Sequence, residues 1–298
     1  MDLNKVIYDD NKVILEEVKN FNIKQILECG QCFRWEKKSD EDYIIIAYGR
    51  VIEVIQDGDK VTILNSNEED FKNIWIKYFD LERDYKNIKE ELSKDEILKQ
   101  SVDFGYGIRI LNQEPFELLI SFIVSARNSI PSIKKTIKKI SERWGTEVCY
   151  DGETYYTFPT PCMIKDATED EIRETGASFR SKYIVDTVAR VNEDLENGEG
   201  VFNLDRITSL TDDDCHIALQ EFKGVGAKVS DCIMLFSMSK YSAFPVDVWV
   251  KRAMMHFYGA EEGSLNKIRI FARDKFGDLS GFAQQYLFYY ARENGIKL

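Results

Sequence analysis

One change in residue pattern constrains the chain most: β-branched and aromatic runs give way, about a third of the way along, to helical spacing. Residues 43–49 (YIIIAYG), 51–55 (VIEVI) and 61–64 (VTIL) have the composition of strands. Asp57-Gly58, between the last two, is a hairpin signal, so an antiparallel sheet is expected. A helix is expected over 68–79, where Phe71, Ile74, Trp75, Tyr78 and Phe79 fall at helical spacing. The composition shifts near residues 95–113. Beyond it, helices are expected at 115–126, 133–144, 178–193, about 212–221, 227–239, from Asp247 past Phe257, and at 280–292. Thr211 followed by three aspartates reads as an N-cap with acidic first-turn residues. The expected fold is α+β: a β-rich N-terminal domain over 1–112 and a mostly α-helical domain over 113–298.

A length of 298 residues, 44% of them hydrophobic, suffices for a large core. The longest apolar run, 118–124, is far too short to span a membrane. The first residues lack a basic segment followed by an apolar stretch, so no secretory leader is expected. The expected compartment is the cytoplasm, with nucleoid association if the source is prokaryotic. The six cysteines are then expected to be free thiols. Cys29 and Cys32 form a single C-x-x-C with no second pair to complete a zinc site, and His216 and His256 are the two histidines. No metal or other cofactor is expected.

A net charge of −12 argues against a generic nucleic-acid binder, because phosphate neutralisation needs lysine and arginine on the contact face. Lys134, Lys135, Lys138, Lys139 and Arg143 do cluster on one predicted helix; read alone, that run is a solvated face. Any phosphate contact must then also use uncharged donors, such as the N–H groups at turns and helix starts.

Residues 222–228 (FKGVGAK) supply such donors. Gly224 and Gly226 join two predicted helices, permit a tight turn, and let a ligand approach the backbone closely. The turn delivers free N–H groups at the start of the second helix, where the dipole favours an anion. By itself the G-V-G is equally an αα-turn with two convenient glycines. Lys228 lies in the first turn of that second helix, where the dipole disfavours its charge, and a lysine that sheds its proton is an amine nucleophile. Cys232 follows at i+4 on the same face. Asp247 comes after one helix and a short loop, at an expected N-cap, and the two antiparallel helices can bring it to Lys228.

The run Gly224-Val225-Gly226-Ala227-Lys228-Val229-Ser230-Asp231-Cys232, followed by Pro245-Val246-Asp247-Val248, resembles the helix-hairpin-helix DNA glycosylases, and within them the 8-oxoguanine DNA glycosylase/AP lyase family. The hairpin is then at about 212–239. The lysine matters most, since monofunctional relatives lack it. Cys29-Gly30-Gln31-Cys32-Phe33-Arg34-Trp35 resembles the family's G-Q-x-F-R-W stretch, and Ala283-Gln284 with Leu287-Phe288 its C-terminal pocket helix. The resemblance covers nearly the whole chain.

It implies that Lys228 is the nucleophile and Asp247 its carboxylate partner. The Gly30 carbonyl accepts the N7–H that distinguishes 8-oxoguanine from guanine. Gln284 bonds the Watson–Crick edge, and Phe288 stacks on the extruded base opposite Cys232. Gly224, Val225 and Gly226 hold phosphate. Phe179-Arg180 resembles the wedge and the reader of the estranged base. Ser125-Ala126-Arg127-Asn128-Ser129 aligns with an Asn-rich turn, but Arg127 stands where an Asn recognises the orphaned cytosine, and Ser132 where many relatives carry Arg. Trp249 occupies the place of a phosphate-contacting His in some relatives, and its indole N–H can also donate. The implied partner is double-stranded DNA containing 8-oxoguanine, bound by a monomer; no membrane is involved. Three other readings stand beside this one: a hairpin glycosylase for another purine lesion, a non-catalytic DNA-binding module, and a thiol oxidoreductase using Cys29 and Cys32.

Overall fold

Six antiparallel strands form one sheet in the order β1-β2-β6-β5-β4-β3. They are β1 (Lys5–Asp9), β2 (Lys12–Glu16), β3 (Trp35–Lys37), β4 (Asp42–Ala47), β5 (Arg50–Asp57) and β6 (Lys60–Leu64). The computed structural model describes residues 5–197, 200–261 and 263–295. Sequence pattern locates β4, β5 and β6; the short outer strands β1, β2 and β3 are additions. β4 stops at Ala47 because Tyr48 and Gly49 both adopt positive φ (52° and 69°) in a two-residue turn pairing Ala47 with Arg50. The β5–β6 hairpin pairs Asp57 with Lys60, so Gly58 and Asp59 form its loop.

β4 reads as an unbroken apolar run because both of its faces are covered. Tyr43 and Ile45 join Val13, Leu15, Ile52, Val54, Val61 and Ile63 in a core closed by Phe71, Trp75, Tyr78 and Phe79. Phe71 and Trp75 come from a π-type turn (Phe71–Trp75) that joins α2 (Glu68–Asp70) to α3 (Ile76–Tyr78), Tyr78 from α3 and Phe79 from its C-cap. Ile44 and Ile46 face the other way, with Val51, against the hairpin of β7 (Glu147–Tyr150) and β8 (Glu153–Tyr156), an insertion in the helical half that the sequence pattern did not announce.

The remaining helices build a second core. α1 (Ile23–Glu28) precedes the sheet's later strands, and α4 (Tyr85–Leu92) and α5 (Glu96–Phe104) cross from the sheet into the helical part. α6 (Pro115–Ser125) is the central helix, with residues 116–124 all buried. Around it lie α7 (Ile130–Trp144), α8 (Glu169–Ile172), α9 (Ser181–Asn197), α10 (Leu204–Ser209), α11 (Asp212–Leu219), α12 (Ala227–Ser237), α13 (Val248–Tyr258), α14 (Leu265–Phe276) and α15 (Ser280–Glu293). α12 packs on α6, and α15 packs on both α13 and α5. The lysine-rich helix α7 is not a uniform basic face. Lys134 donates to the Trp35 carbonyl at 2.9 Å and lies over the Trp35 ring, while Arg143 pairs with Glu171 and Glu174 at 2.8 Å.

The loop after α1 is fastened to the helical half at several points. Gln285 Nε2 on α15 donates to the Cys29 carbonyl at 2.9 Å, and Gln113 Nε2 donates to that of Gln31 at 2.8 Å. The Gln31 side chain in turn donates to the carbonyls of Ile26 and Arg109 and accepts from the N–H of Leu111. The buried Arg34–Glu117 pair, 3.4 Å apart, ties the same loop to α6. Desolvation pushes the Glu117 carboxyl up to about 7, against the pull of Arg34. These contacts hold the C-terminal end of the first loop against the last helix, which places Gly30 at the site described next.

Candidate active site

α11 begins at the N-cap Thr211, whose hydroxyl accepts from the N–H of Asp214, and α12 begins at Gly226. Gly224 in the turn between them has φ +87°, and a Cβ there would lie 2.8 Å from the Tyr183 ring, so glycine is needed for both backbone and space. Gly226 carries no capping side chain, which leaves the first N–H groups of α12 without an intrahelical partner. Two contacts fix the hairpin. Ser230 Oγ donates to the His216 carbonyl at 2.9 Å, and the fully buried Asp231 takes both Arg269 Nε (2.6 Å) and Nη2 (2.9 Å), with His216 Nδ1 2.8 Å away.

From the first turn of α12, Lys228 reaches over the Phe122 ring, with Nζ 5.1 Å from its centroid. Asp247 caps α13, its Oδ1 accepting from Val250 N at 2.8 Å. Burial pushes the Asp247 carboxyl upward; the Val250 N–H and the charges of Lys228 and Arg292 oppose that shift. The Cys232 thiol, one turn from Lys228, is pushed by burial up to about 11.

A single cleft of about 50 Å³ is lined by Lys228, Cys232, Asp247, Gly30, Gln284 and Phe288 together. The fold thus assembles into one place six residues that the sequence spreads over more than 250 positions. Cys29 and Pro245, which belong to the motifs quoted above, also line it, as do Phe122, Phe236 and Gln285, which were not singled out from the sequence. Phe122 and Phe236 look like any core aromatic; the doubled glutamine at 284–285 in an apolar helix was the available signal. At this volume the cleft accommodates a few water molecules and no purine. Phe288 closes it: its Cε1 lies 3.1 Å from where a Gly30 Cβ would stand.

Two residues that line this cleft carry an acceptor without a partner among the described residues. Gln284 is 4% exposed, and its Oε1 has no partner among the described residues. The carbonyls of Glu28, Cys29, Gln31 and Cys32 each accept a side-chain hydrogen bond, whereas no bond among the described residues engages that of Gly30. Buried acceptors are ordinarily satisfied, so Gln284 Oε1 points to a ligand that donates, and the unengaged Gly30 carbonyl offers a second acceptor beside it.

Outside the cleft, a ridge of contacts leads from the hairpin. Tyr183 packs on Gly224 and meets Phe179 edge-on at 6.4 Å; Phe179 is 51% exposed. Arg180 is buried instead: its guanidinium donates to the carbonyls of Ala126 (2.9 Å), Arg127 (3.1 Å) and Ala177 (3.4 Å). It therefore braces the 126–127 turn in the free protein. Arg127, at φ +53°, is the exposed residue of that turn, and Asn128 bonds back to Val124. Trp249 sits in the first turn of α13, with the Arg252 guanidinium 5.2 Å from its ring.

Cys29 and Cys32 are free and buried, with burial pushing their thiols up to about 12 and about 11. Reactive thiols need exposure and a depressed pKa, so a redox pair here is opposed by both conditions. Among the described residues, no group of three or more His, Cys, Asp or Glu side chains is arranged to hold a metal, and no helix is long and apolar enough to cross a membrane.

A glycine hairpin feeding a lysine and a helix-capping aspartate into an interior cleft defines the helix-hairpin-helix class of base-excision repair proteins. Residues 120–275 match the family model for the HhH-GPD superfamily base excision DNA repair protein, and residues 13–119 that for the 8-oxoguanine DNA glycosylase N-terminal domain. The chain belongs to the 8-oxoguanine DNA glycosylase/lyase family. A crystal structure of the Clostridium acetobutylicum 8-oxoguanine glycosylase/lyase, in complex with double-stranded DNA containing cytosine opposite 8-oxoG, is 56% identical. It covers 99% of this chain and all of its own, at a TM-score of 0.95. A probable N-glycosylase/DNA lyase of Methanothermobacter thermautotrophicus is 32% identical over 73% of this chain and 74% of its own. The N-glycosylase/DNA lyase of Saccharomyces cerevisiae is 28% identical over 89% and 82%.

Proposed function

We propose that this chain excises 8-oxoguanine from duplex DNA through a Schiff base on Lys228 and then nicks the strand by β-elimination. The observation that carries the reading is the pair of unpaired acceptors in the cleft, Gln284 Oε1 and the Gly30 carbonyl, standing beside Lys228. A guanine presents N1–H and N2–H on its Watson–Crick edge, which suits Gln284. 8-Oxoguanine adds an N7–H, which suits Gly30 and which guanine lacks.

A base can reach this cleft only after leaving the stack. The free amides at the start of α12 and the Trp249 indole N–H grip phosphate, and the exposed Phe179 fills the gap in the duplex. Arg127 is the side chain nearest the orphaned base, held in position by Arg180 beneath it. With Arg127 and Ser132 at these places, discrimination among opposite bases is weak or altered. The lesion displaces Phe288 and lies between it and Cys232. Asp247 stabilises the positive charge that develops on the sugar. The Lys228 amine then forms a bond to C1′ as the C1′–N9 bond breaks. Ring opening gives the Schiff base, and loss of a C2′ proton expels the 3′ phosphate. All groups of the cleft come from one chain, which supports a monomer as the working unit.

The test is borohydride trapping on an 8-oxoguanine:cytosine duplex. A covalent adduct on a denaturing gel is expected with the native chain, and none with Lys228→Gln, which retains lesion binding. Strand nicking by Lys228→Gln would remove the lysine from the mechanism. Tight binding without any adduct from the native chain would leave a DNA-binding module or a monofunctional glycosylase.

A further inference from the structure

We propose that Arg292 is a specificity-determining residue of the lesion cleft, donating a hydrogen bond to the C8 oxygen of the flipped base. The inference rests on the reading above, in which Gln284 takes the Watson–Crick edge and Gly30 the N7–H.

Gln284, Phe288 and Arg292 stand at i, i+4 and i+8 on α15. They lie in a row on one broad face, spaced about 6 Å apart along the axis. Phe288, in the middle, offers its ring to the face of the base. Gln284 at one end meets the Watson–Crick edge, which includes O6. Arg292 at the other end therefore meets the opposite edge. N7 lies between O6 and O8, so the oxygen left for Arg292 is O8, the atom that defines the lesion.

The local geometry agrees. Arg292 Nη1 lies 3.4 Å from where a Gly30 Cβ would stand, so it neighbours the residue whose carbonyl is assigned to N7–H. The rest of the guanidinium is fixed: Nη2 donates to the Glu28 carbonyl at 2.7 Å and Nε to Glu293 at 2.8 Å. Nη1 has no hydrogen-bond partner among the described residues. The charge also lies 5.2 Å from the Phe288 ring centroid, within cation–π reach of the ring that must yield to the base. Guanine has no C8 oxygen, so this donor adds a second point of discrimination to that of Gly30. The contact strengthens during excision. As Nζ bonds to C1′, the electron pair of the C1′–N9 bond leaves with the base and spreads onto O8; a proton from Nζ then neutralises the base at N9.

The experiment compares the native chain with Arg292→Met and Arg292→Lys on three duplexes. Two carry non-cleavable 2′-fluoro nucleotides, 8-oxoguanine or guanine, and the third carries a preformed abasic site. In Arg292→Met, the preference for 8-oxoguanine over guanine is expected to shrink by tenfold or more, the size expected of a charged hydrogen bond. Nicking of the preformed abasic site, where no base is present to read, reports whatever Arg292→Met costs through the fold or through its charge near Asp247, and circular dichroism of each variant serves as the folding control. Arg292→Lys keeps a donor and recovers part of the preference; if the Met variant fails to fold, this variant and its intermediate preference read the contact alone. An unchanged preference, or an equal loss on the lesion and on the abasic site, overturns the proposal by reducing Arg292 to a brace for Glu28. Absence of lesion preference in the native chain would instead overturn the underlying assignment of the cleft.

Discussion

Gln284 holds a buried amide oxygen without a partner, and such an atom costs a fold about 1–3 kcal/mol. Neighbouring Gln285, equally buried, satisfies its amide nitrogen on the Cys29 carbonyl. The contrast within one dipeptide separates a structural glutamine from one held ready for a ligand. Replacing Gln284 with leucine removes the unsatisfied oxygen while keeping most of the volume. We expect Gln284→Leu to melt a few degrees above the native chain, at roughly 2–4 °C per kcal/mol for a chain of this size. Single-turnover excision of 8-oxoguanine should fall by tenfold or more, since the Watson–Crick edge loses its acceptor. Thermal unfolding and excision, measured on the same preparation, check both signs. A lower melting temperature would mean that the oxygen is satisfied in the free protein.

The same opposition between stability and function recurs in the hairpin. Helix α12 starts at Gly226, an N-cap with no side chain to bond the first amides, and its φ of −103° suits any residue. A Cβ there meets nothing within 4 Å. Aspartate would therefore cap the helix, adding a few tenths of a kcal/mol. It would also place a carboxylate where the amides are to receive phosphate. We expect Gly226→Asp to fold at least as stably as the native chain and to bind duplex DNA at least tenfold more weakly, measured by fluorescence anisotropy at fixed salt. Unchanged affinity would remove α12 as the phosphate grip. Elements such as this hairpin were legible in the sequence because their punctuation is local: Thr211, Gly224, Gly226 and Asp247 each mark a boundary by their own backbone chemistry. The outer strands β1–β3 and the helices α4 and α5 were not. β1 is mostly solvent-facing along its five residues, β3 has three residues, and α4 is too polar for its apolar stripe to stand out. At the site, Lys228 and Asp247 could be read from spacing and the pocket residues only through resemblance. The burial of Arg180 could not be read at all, because it depends on the left-handed turn at Arg127, which presents carbonyls to it.

Taken whole, the molecule is an acidic protein with a DNA-directed site, and its net charge of −12 sets how it must bind. Several cations that a sequence count would credit to DNA are already engaged. Lys223 is paired with Asp186 at 2.6 Å, Lys134 lies on Trp35, and Arg180 is bound to carbonyls. Arg127, Lys228 and Arg252 remain beside the elements assigned to phosphate and base contacts. The hairpin amides grip phosphate through hydrogen bonds and the helix dipole, and they release few counterions in doing so. Counterion release adds a slope of about −0.9 per phosphate neutralised by a cation, so three cations give a log–log salt slope near −3. Between 50 and 200 mM salt, affinity for a lesion duplex should thus fall roughly 40-fold, well short of the loss typical of basic DNA binders. Anisotropy titrations across that range test the point. A slope of about −8 would require a basic surface that neither the sequence nor the arrangement of these side chains provides. A slope near −3 that flattens by about one unit in Arg252→Gln, and not in Lys223→Gln, would identify which cations face the duplex and would show that neutral amides carry the rest of the grip.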